Sequence, residues 1–468
     1  MVSLIGIILS LALLMYLAYR DVSVLVLAPL CALLAVAFDG SLPMLATYTQ
    51  IFMASVGQFV KDFFPLFLLG ALFGKLMEES GAAAKIADVV VRIVGVKRTV
   101  LAIVLSCAIL TYGGVSLFVV VFAVFPLAHS LFQQAQLPRR LIPATIALGS
   151  FTFTMTALPG TVQIQNQIPM QFFGTTSFAA PGLGCIGSAI MFALGMLWLN
   201  RRVNVARRRG ESFSLTAGAP EKPTTIEAES TPVPLPSAWS AFLPILCAVS
   251  LNFVFSQFVI PNWDTSYLAQ EQFGSTELKK VLGAWSTILA MLVSVLLTIA
   301  LHFGSFAKLR GVLAVGAHSS LLPMFNTACE YGYGNTIKAL AGFTLVQNVV
   351  IQIAPSNPLI SEAIAVNTLA AMTGSASGGL SIAMKTLGET YYQQGLAAGI
   401  NPELLHRVAS MSCGGLDSLP HNGAVITLLL ICGMTHRQSY KDIAVVTILC
   451  PLVGTMAVLW LGSLFGSF

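Results

Sequence analysis

The sequence predicts an all-α polytopic membrane protein built as two inverted-topology repeats of about five spanning segments each, and three observations carry that expectation. The 468 residues are 56% hydrophobic and only 9% charged, against roughly 25% charged residues in soluble domains. Apolar stretches on the scale of the ~20 residues that cross a bilayer recur along the chain, at Leu4 to Tyr19, Val22 to Phe38, Leu183 to Leu199, Leu282 to His302 and Ile443 to Leu461. Landmarks of the first half also return in the second. Phe64-Pro65-Leu66-Phe67 faces Leu322-Pro323-Met324-Phe325, Thr111 to Gly114 faces Thr373 to Gly379, Pro138 faces Pro402, and Leu158-Pro159 faces Leu419-Pro420, at offsets of 258 to 264 residues. Near-constant spacing over four landmarks marks an internal repeat.

Taken in order, the first apolar segment has no basic residues before it and ends at Arg20-Asp21 rather than at a small-residue cleavage site, so it reads as a retained helix. Residues 1–199 form the first repeat, with spans at Leu4 to Tyr19, Val22 to Phe38, Phe63 to Met77, from Leu141 onward, and Leu183 to Leu199. The basic positions Arg20, Lys75 to Arg98, Arg139-Arg140 and Arg201 to Arg209 then all fall on the cytoplasmic side, as the positive-inside rule asks. Between them, residues 99–132 begin and end inside around Tyr112-Gly113-Gly114. Each arm is only about a dozen residues, short of the ~17 needed to cross, so the segment reads as a re-entrant hairpin.

Residues 200–237 open with five arginines and continue into a Pro/Thr/Glu/Ser run, a composition that cannot bury a core. They read as a cytoplasmic linker. An odd number of crossings before it inverts the second repeat, residues 238–468, with a hairpin at about 362–387 and a broken helix at about 404–434, the counterpart of a broken helix at about 141–173. Arg437 and Lys441 then fall inside, whereas Lys279, Lys280 and Lys338 fall outside against the statistical rule. The eight cysteines sit singly without CxxC spacing and read as small core residues. No basic run interleaved with aromatics points to nucleic acid, and no cofactor or metal motif is present.

Paired broken helices in inverted repeats are the sequence signature of secondary transporters, whose sites lie near the midplane between the repeats. Leu158-Pro159-Gly160-Thr161 interrupts one apolar segment, and Gly414 to Gly423 interrupts its counterpart. Proline cannot donate a backbone hydrogen bond and glycine relaxes the helix. Unwound backbone at membrane depth persists only where protein buries it or a wet cavity borders it, so the breaks mark the cavity. Helix N-termini at the breaks and hairpin tips would turn free N–H groups and about half a positive charge inward, which suits a carboxylate.

Polar side chains collect at the same points: Thr152, Thr154, Thr156, Thr161, Gln163, Gln165 and Asn166 in the first half, Ser375, Ser377, Ser412, Ser418 and Asn422 in the second. Hydroxyls and amides suit a polyhydroxylated ligand, although serine and threonine also bond back to their own helix. The expected substrate-binding set is Gly113, Gly114, Thr156, Pro159, Gly160, Thr161, Gln163, Asn166, Ser375, Ser377, Gly378, Gly379, Ser418, His421 and Asn422. Asp417 and His421 form the close acid and imidazole pair within an expected span, and intramembrane ionisable residues are functional candidates by default. Asp417 reads as the group that carries a coupling proton or ligates a cation, or as an N-cap; His421 reads as its partner, a proton shuttle or a substrate contact, or as a cap. Glu330 and Lys385 rank second.

The runs GSASGGLSIA, NPELLHRVASMSCGGLDSLPHNGAVITLL and THRQSYKDI, with LTYGGVSLFVVVF and RLIPATIALGSFTFTMTALPGTVQIQNQIP in the first half, closely resemble the signature of the gluconate:proton symporter (GntP) family of permeases. The resemblance covers most of the chain outside the linker. It implies a bacterial inner-membrane protein of the wider ion transporter superfamily that takes up gluconate or a related hydroxycarboxylate with protons. It further implies a homodimer whose transport part moves in an elevator fashion. Few cationic side chains lie at the hairpin tip and breaks, which favours a monocarboxylate over a multiply charged ligand. The residues leave sodium open as the coupling ion, and 3-hydroxybutyrate or another short acid open as substrate. An intramembrane protease is the first rival, but Leu416 stands where the aspartyl motif needs glycine and Ala376 stands at the centre of Gly374 to Gly378 where serine is needed. HExxH and GxxxxGK[ST] motifs are absent. A channel is the second rival, and paired breaks favour alternating access over it.

Overall fold

The computed structural model describes residues 2–18, 20, 22–213, 235–306, 308–345, 354, 357–420 and 422–468. His421 and positions 214–234 of the expected linker lie outside the described residues.

Among these residues every regular element is helical. The first half comprises α1 (Val2–Ala18), α2 (Val24–Asp39), α3 (Met44–Glu79), α4 (Ala82–Val94), α5 (Thr99–Tyr112), α6 (Leu117–Gln134), α7 (Ile142–Ser150), α8 (Phe153–Thr156), α9 (Ile164–Phe173) and α10 (Pro181–Arg208). After the linker come α11 (Ala238–Val254), α12 (Leu278–His302), α13 (Leu309–Lys338), α14 (Pro358–Thr373), α15 (Ala376–Ala397), α16 (Pro402–Cys413), α17 (Gly423–Cys432) and α18 (His436–Phe465). By length and composition, five described helices can cross a bilayer: Met44–Glu79, Pro181–Arg208, Ala238–Asn262, Leu278–Ser305 and His436–Phe465. The protein is a multi-pass membrane protein, and large apolar side chains such as Leu45, Trp239 and Trp460 face outward.

One order of elements occurs in both halves: a long helix with an internal proline (Pro65 in α3, Pro323 in α13), a helix pair with a tight turn, a short helix, a break, a second short helix and a long helix. α3 and α13 pack along their lengths. Glycine permits the approach, because a Cβ at Gly332 would stand 3.0 Å from the carbonyl oxygen of Phe52. α13 is 30 residues long, yet Ser319, Ser320, Asn326, Thr327 and Glu330 make it too polar to read as an ordinary lipid-facing span; these residues border a cavity.

Three local readings differ from the sequence expectation. The expected span Phe63 to Met77 is the last part of a helix that begins at Met44. Its first turns hold Thr47, Thr49 and Ser55, whose hydroxyls donate to carbonyls four residues back, so polar composition hides a helix that satisfies its own side chains. The basic stretch Lys75 to Arg98 contains α4, whose Ala82, Ala83, Ile86, Ala87, Val90 and Val91 are buried on one face; it bends 105° into the helix ending at Tyr112. Finally, Asn200 to Arg208 continues α10 instead of opening a linker, as arginine has good helix propensity and suits a helix C-terminus.

The core divides into two clusters, one around α1 to α3 with α13 to α16 and one around α4 to α7 with α17. The halves are interleaved. α9 of the first half packs on α15 and α16, while α17 of the second packs on α6.

Asp442, in α18, is 1% exposed and accepts from Arg202 Nε at 2.6 Å, Arg140 Nη1 at 3.0 Å and Trp198 Nε1 at 3.1 Å. Arg140 also donates to Glu211 at 2.7 Å. This network joins the start of α7 and the end of α10 to the second half. Asp442→Ala is expected to lower unfolding free energy by about 3 kcal/mol, the low end for a buried pair because both guanidiniums keep some solvent access. Thermal unfolding of the detergent-solubilised variant checks this.

Candidate functional site

A cavity of about 820 Å³ opens where the two helix pairs and the two breaks meet. Four helices begin at its wall. Ser116 and Leu117 start α6, Gln163 and Ile164 start α9, Ser375 and Ala376 start α15, and Asn422 and Gly423 start α17. The first N–H groups of a helix have no intrahelical acceptor, so the cavity is bordered by four sets of backbone donors.

Side chains hold these ends in place. Gln163 Nε2 donates to the carbonyls of Thr111 at 2.7 Å and Val115 at 3.3 Å, tying the first break to the α5–α6 turn. Asn422 does the matching work, donating through Nδ2 to Gly374 O at 2.9 Å and Asp417 O at 3.0 Å. Asn422 also caps α17 by accepting from Val425 N at 2.9 Å, and the Ser375 hydroxyl caps α15 through Gly378 N at 3.0 Å. Gly114 and Gly374 turn the two tips at φ +95 and +63, a region glycine enters without penalty.

Of the expected binding residues, Gly114, Gln163, Ser375, Ser377 and Asn422 lie on the cavity wall, as does Asp417. Asp417 is 5% exposed and accepts from Ser418 Oγ at 3.1 Å. The other described members of the set stand behind the wall. The Pro159 carbonyl accepts from Tyr112 at 2.8 Å, Gly160 N donates to Ser177 O at 2.8 Å, and the Thr161 carbonyl accepts from Asn166 and Gln167. Thr156 packs on Gly414, where the two breaks touch. Gly113 packs on Ile245, and Gly379 lets α15 close against Ala370 of α14. Gly378 leaves room for the Glu330 carboxylate, which a Cβ there would strike. His421, expected beside Asp417, lies outside the described residues.

Further wall residues stand apart from the expected set. Gln165, Asn326 and Glu330 each border the cavity with a buried oxygen that lacks a hydrogen-bond partner. Lys75 and Glu78 also line it, and Lys75 is engaged by Glu78 at 3.2 Å and Glu79 at 2.8 Å. Among the described residues no group of three His, Cys, Asp or Glu side chains is placed to hold a metal ion.

Behind the wall lies Arg407 of α16, fully buried. It donates to Ala179 O at 2.6 and 3.1 Å, to Ala157 O at 3.0 Å and to Asn166 Oδ1 at 3.2 Å. Its neighbour His406 meets Thr175 Oγ1 at 2.6 Å and Asn166 Oδ1 at 3.2 Å, and Ser410 donates to Thr156 O at 2.6 Å. One helix of the second half thus supplies the donors that the unwound first break lacks. The signal was visible as a His-Arg pair within LLHRVAS, since an ionisable residue inside an apolar run asks for a partner.

An all-helical membrane body whose interrupted helices surround one cavity is the architecture of a transporter. The sequence model of the GntP family permeases matches residues 2–315. The chain is 46% identical over 474 residues, 99% of each chain, to "Uncharacterized transporter YxjC" of Bacillus subtilis (strain 168). Among solved structures it is similar to the Alcanivorax borkumensis YdaH transporter, described as having an unusual topology, with TM-score 0.53 at 17% identity over 88% of each chain; that likeness shows the fold alone. The chain belongs to the GntP permease family, and is a multi-pass membrane transporter.

Removing Arg407 leaves the carbonyls of Ala179 and Ala157 without their side-chain donor, each a loss of about 1–3 kcal/mol when buried, and leaves Asn166 Oδ1 with His406 alone. Arg407→Met is expected to abolish a monodisperse, folded protein, and Arg407→Lys, with its single ammonium in place of the guanidinium fork, to leave a partly destabilised one. Size-exclusion profiles and melting curves of both variants test the ranking.

Proposed function

We propose that this permease takes up gluconate or a related small hydroxy-monocarboxylate by proton-coupled symport across the bacterial inner membrane. The observation that carries this reading is the convergence of four helix N-termini on one cavity. At roughly half a positive charge each they amount to about two charges. Asp417 and Glu330, if ionised, offset them, and Lys75 is already taken by two glutamates. A bound carboxylate would then stand uncompensated in the site unless a carboxyl group carries a proton. Anion binding and protonation are therefore linked, and Asp417, at the break itself, is the group we assign to coupling.

The unpartnered oxygens of Gln165, Asn326 and Glu330 support a ligand that brings donors. Hydroxyl groups both donate and accept, as a sugar acid requires. A sodium ion at Asp417 would neutralise the same charge, and 3-hydroxybutyrate or another short acid would use the same donors; these form the second reading. Family resemblance supports protons, a homodimer and an elevator motion in which the helix pairs and broken helices shift together. The recurring order of elements supports two inverted repeats.

Proteoliposomes are expected to accumulate one acid from a panel of labelled gluconate, glycerate and 3-hydroxybutyrate under an inward proton gradient and not under a sodium gradient. Asp417→Asn should lower the accumulation that the proton gradient drives, by the share of the Asp417 proton, while exchange of external for internal substrate continues. Accumulation driven by sodium alone would move the assignment to the second reading, and silence for every acid under both gradients would sink the substrate class.

A further inference from the structure

We propose that the Glu330 carboxylate is a built-in competitor for the anion position at the N-terminus of α15, so that the transported acid is admitted only when Glu330 is protonated. The inference rests on the anion reading of the cavity and adds a second, separate acid to it.

Glu330 lies seven residues after Pro323 on α13. The residue seven after Pro65 on the matching helix α3 is Leu72, so the acid is an addition to one half and not part of the packing the halves share. Glu330 is 2% exposed, borders the cavity, and its Oε2 has no hydrogen-bond partner. Its carboxylate lies against Gly378, the third residue of α15, and any side chain there would strike it. Gly378 thus holds open an approach by which an acid on α13 reaches the first turn of α15.

That turn is a ready anion site. The Ser375 hydroxyl takes the Gly378 N–H, and the Gly379 N–H bonds the Ser375 carbonyl. The N–H groups of Ala376 and Ser377, both on the cavity wall, remain for a ligand. Ser377 Oγ also meets Thr327 Oγ1 at 3.4 Å, bringing α13 and α15 together beside the acid. An ionised Glu330 occupies the field of this helix end and repels a second carboxylate. A neutral one leaves the donors to the substrate and has a proton to share with it.

The charged and titratable groups around Glu330 do not neutralise it. α3 presents Lys75 and Glu78 to the cavity, where Lys75 is engaged by Glu78 and Glu79. Asp62 of α3 and Lys385 of α15 stand around Tyr331, with Lys385 Nζ 4.9 Å from its ring centre. Cys31 of α2 lies towards Tyr333, Cys329 precedes Glu330 in the chain, and Asp417 lines the same cavity. Among the described residues no cation pairs with Glu330. A buried carboxylate without a partner is costly as an anion, which makes its protonation the switch.

The test is binding of the labelled panel acids to purified protein in nanodiscs at acidic, neutral and alkaline pH. Affinity should fall as pH rises, by about tenfold per pH unit for each obligate proton in the limit where that group is ionised without substrate. Glu330→Gln is expected to remove one proton's share of that slope, while Asp417→Asn retains the Glu330 share and both variants still exchange substrate. A Glu330→Gln protein with the full wild-type slope overturns the proposal. Should that variant not fold, Glu330→Asp, whose carboxylate is one methylene further from α15, should bind at higher pH than wild type; an unchanged profile counts against the competitor. A measurement without substrate separates failure here from failure of the transport reading. Dicyclohexylcarbodiimide, which reacts with protonated carboxyl groups in apolar surroundings, should label wild-type Glu330 faster at acidic than at alkaline pH, as located by peptide mass. Absence of that label overturns the role of Glu330 whatever the protein carries.

Discussion

Peptide groups that leave helical geometry inside an apolar medium must find partners other than water, and every distinctive feature of this protein depends on how four such stretches are satisfied. The first break is held by Arg407, Asn166 and Ser410, which reach carbonyls between Thr156 and Ala179. Gln163 and Asn422 bind each break to the tip of the helix pair beside it. Two of the donors for the first break, Arg407 and Ser410, come from α16, in the other half of the chain. The first half cannot complete its unwound segment alone, which accounts for the packing of α9 on α16, whereas the second break draws on its own half through Asn422, His436 and Tyr440.

The same unwinding generates the site. Each interruption ends one helix and starts another, and four of the new N-termini face one cavity. Donors fixed in the backbone need no reorganisation when an anion arrives, and they supply positive potential without a cationic side chain that would itself need desolvation. Acids then become the variable element. Glu330 and Asp417 sit on different elements, one on the long helix α13 and one within a break, so a movement of the breaks relative to α3 and α13 would change the distance between them.

The positions of the interruptions were legible because proline and glycine act locally. Pro159, Gly160, the Gly414 to Gly423 run and the glycines at both tips mark chain breaks whatever surrounds them. The beginning of α3 and the whole of α4 were hidden for the opposite reason: Thr47, Thr49, Lys85 and Arg92 make these segments read as loop, while hydroxyl back-bonding and one buried face make them helix. Within the breaks, composition could not rank neighbours. Thr161 and Gln163 are two residues apart and equally polar, yet the carbonyl of Thr161 is consumed by Asn166 and Gln167 behind the wall and Gln163 stands on it. Glu330 was visible as an intramembrane acid, but its opening onto α15 depends on Gly378, forty-eight positions away.

By itself, then, the sequence determined a helical membrane protein of two like-ordered halves with paired interruptions, and through its signature runs the family to which it belongs. These follow from hydropathy and from residues whose backbone preferences are intrinsic. Only the tertiary structure decided which polar groups meet the cavity, that Arg407 completes the first break from the other half, and that Glu330 abuts a helix N-terminus. Those outcomes depend on which direction a side chain takes from its helix and on what a distant segment brings against it, and no local pattern carries that information.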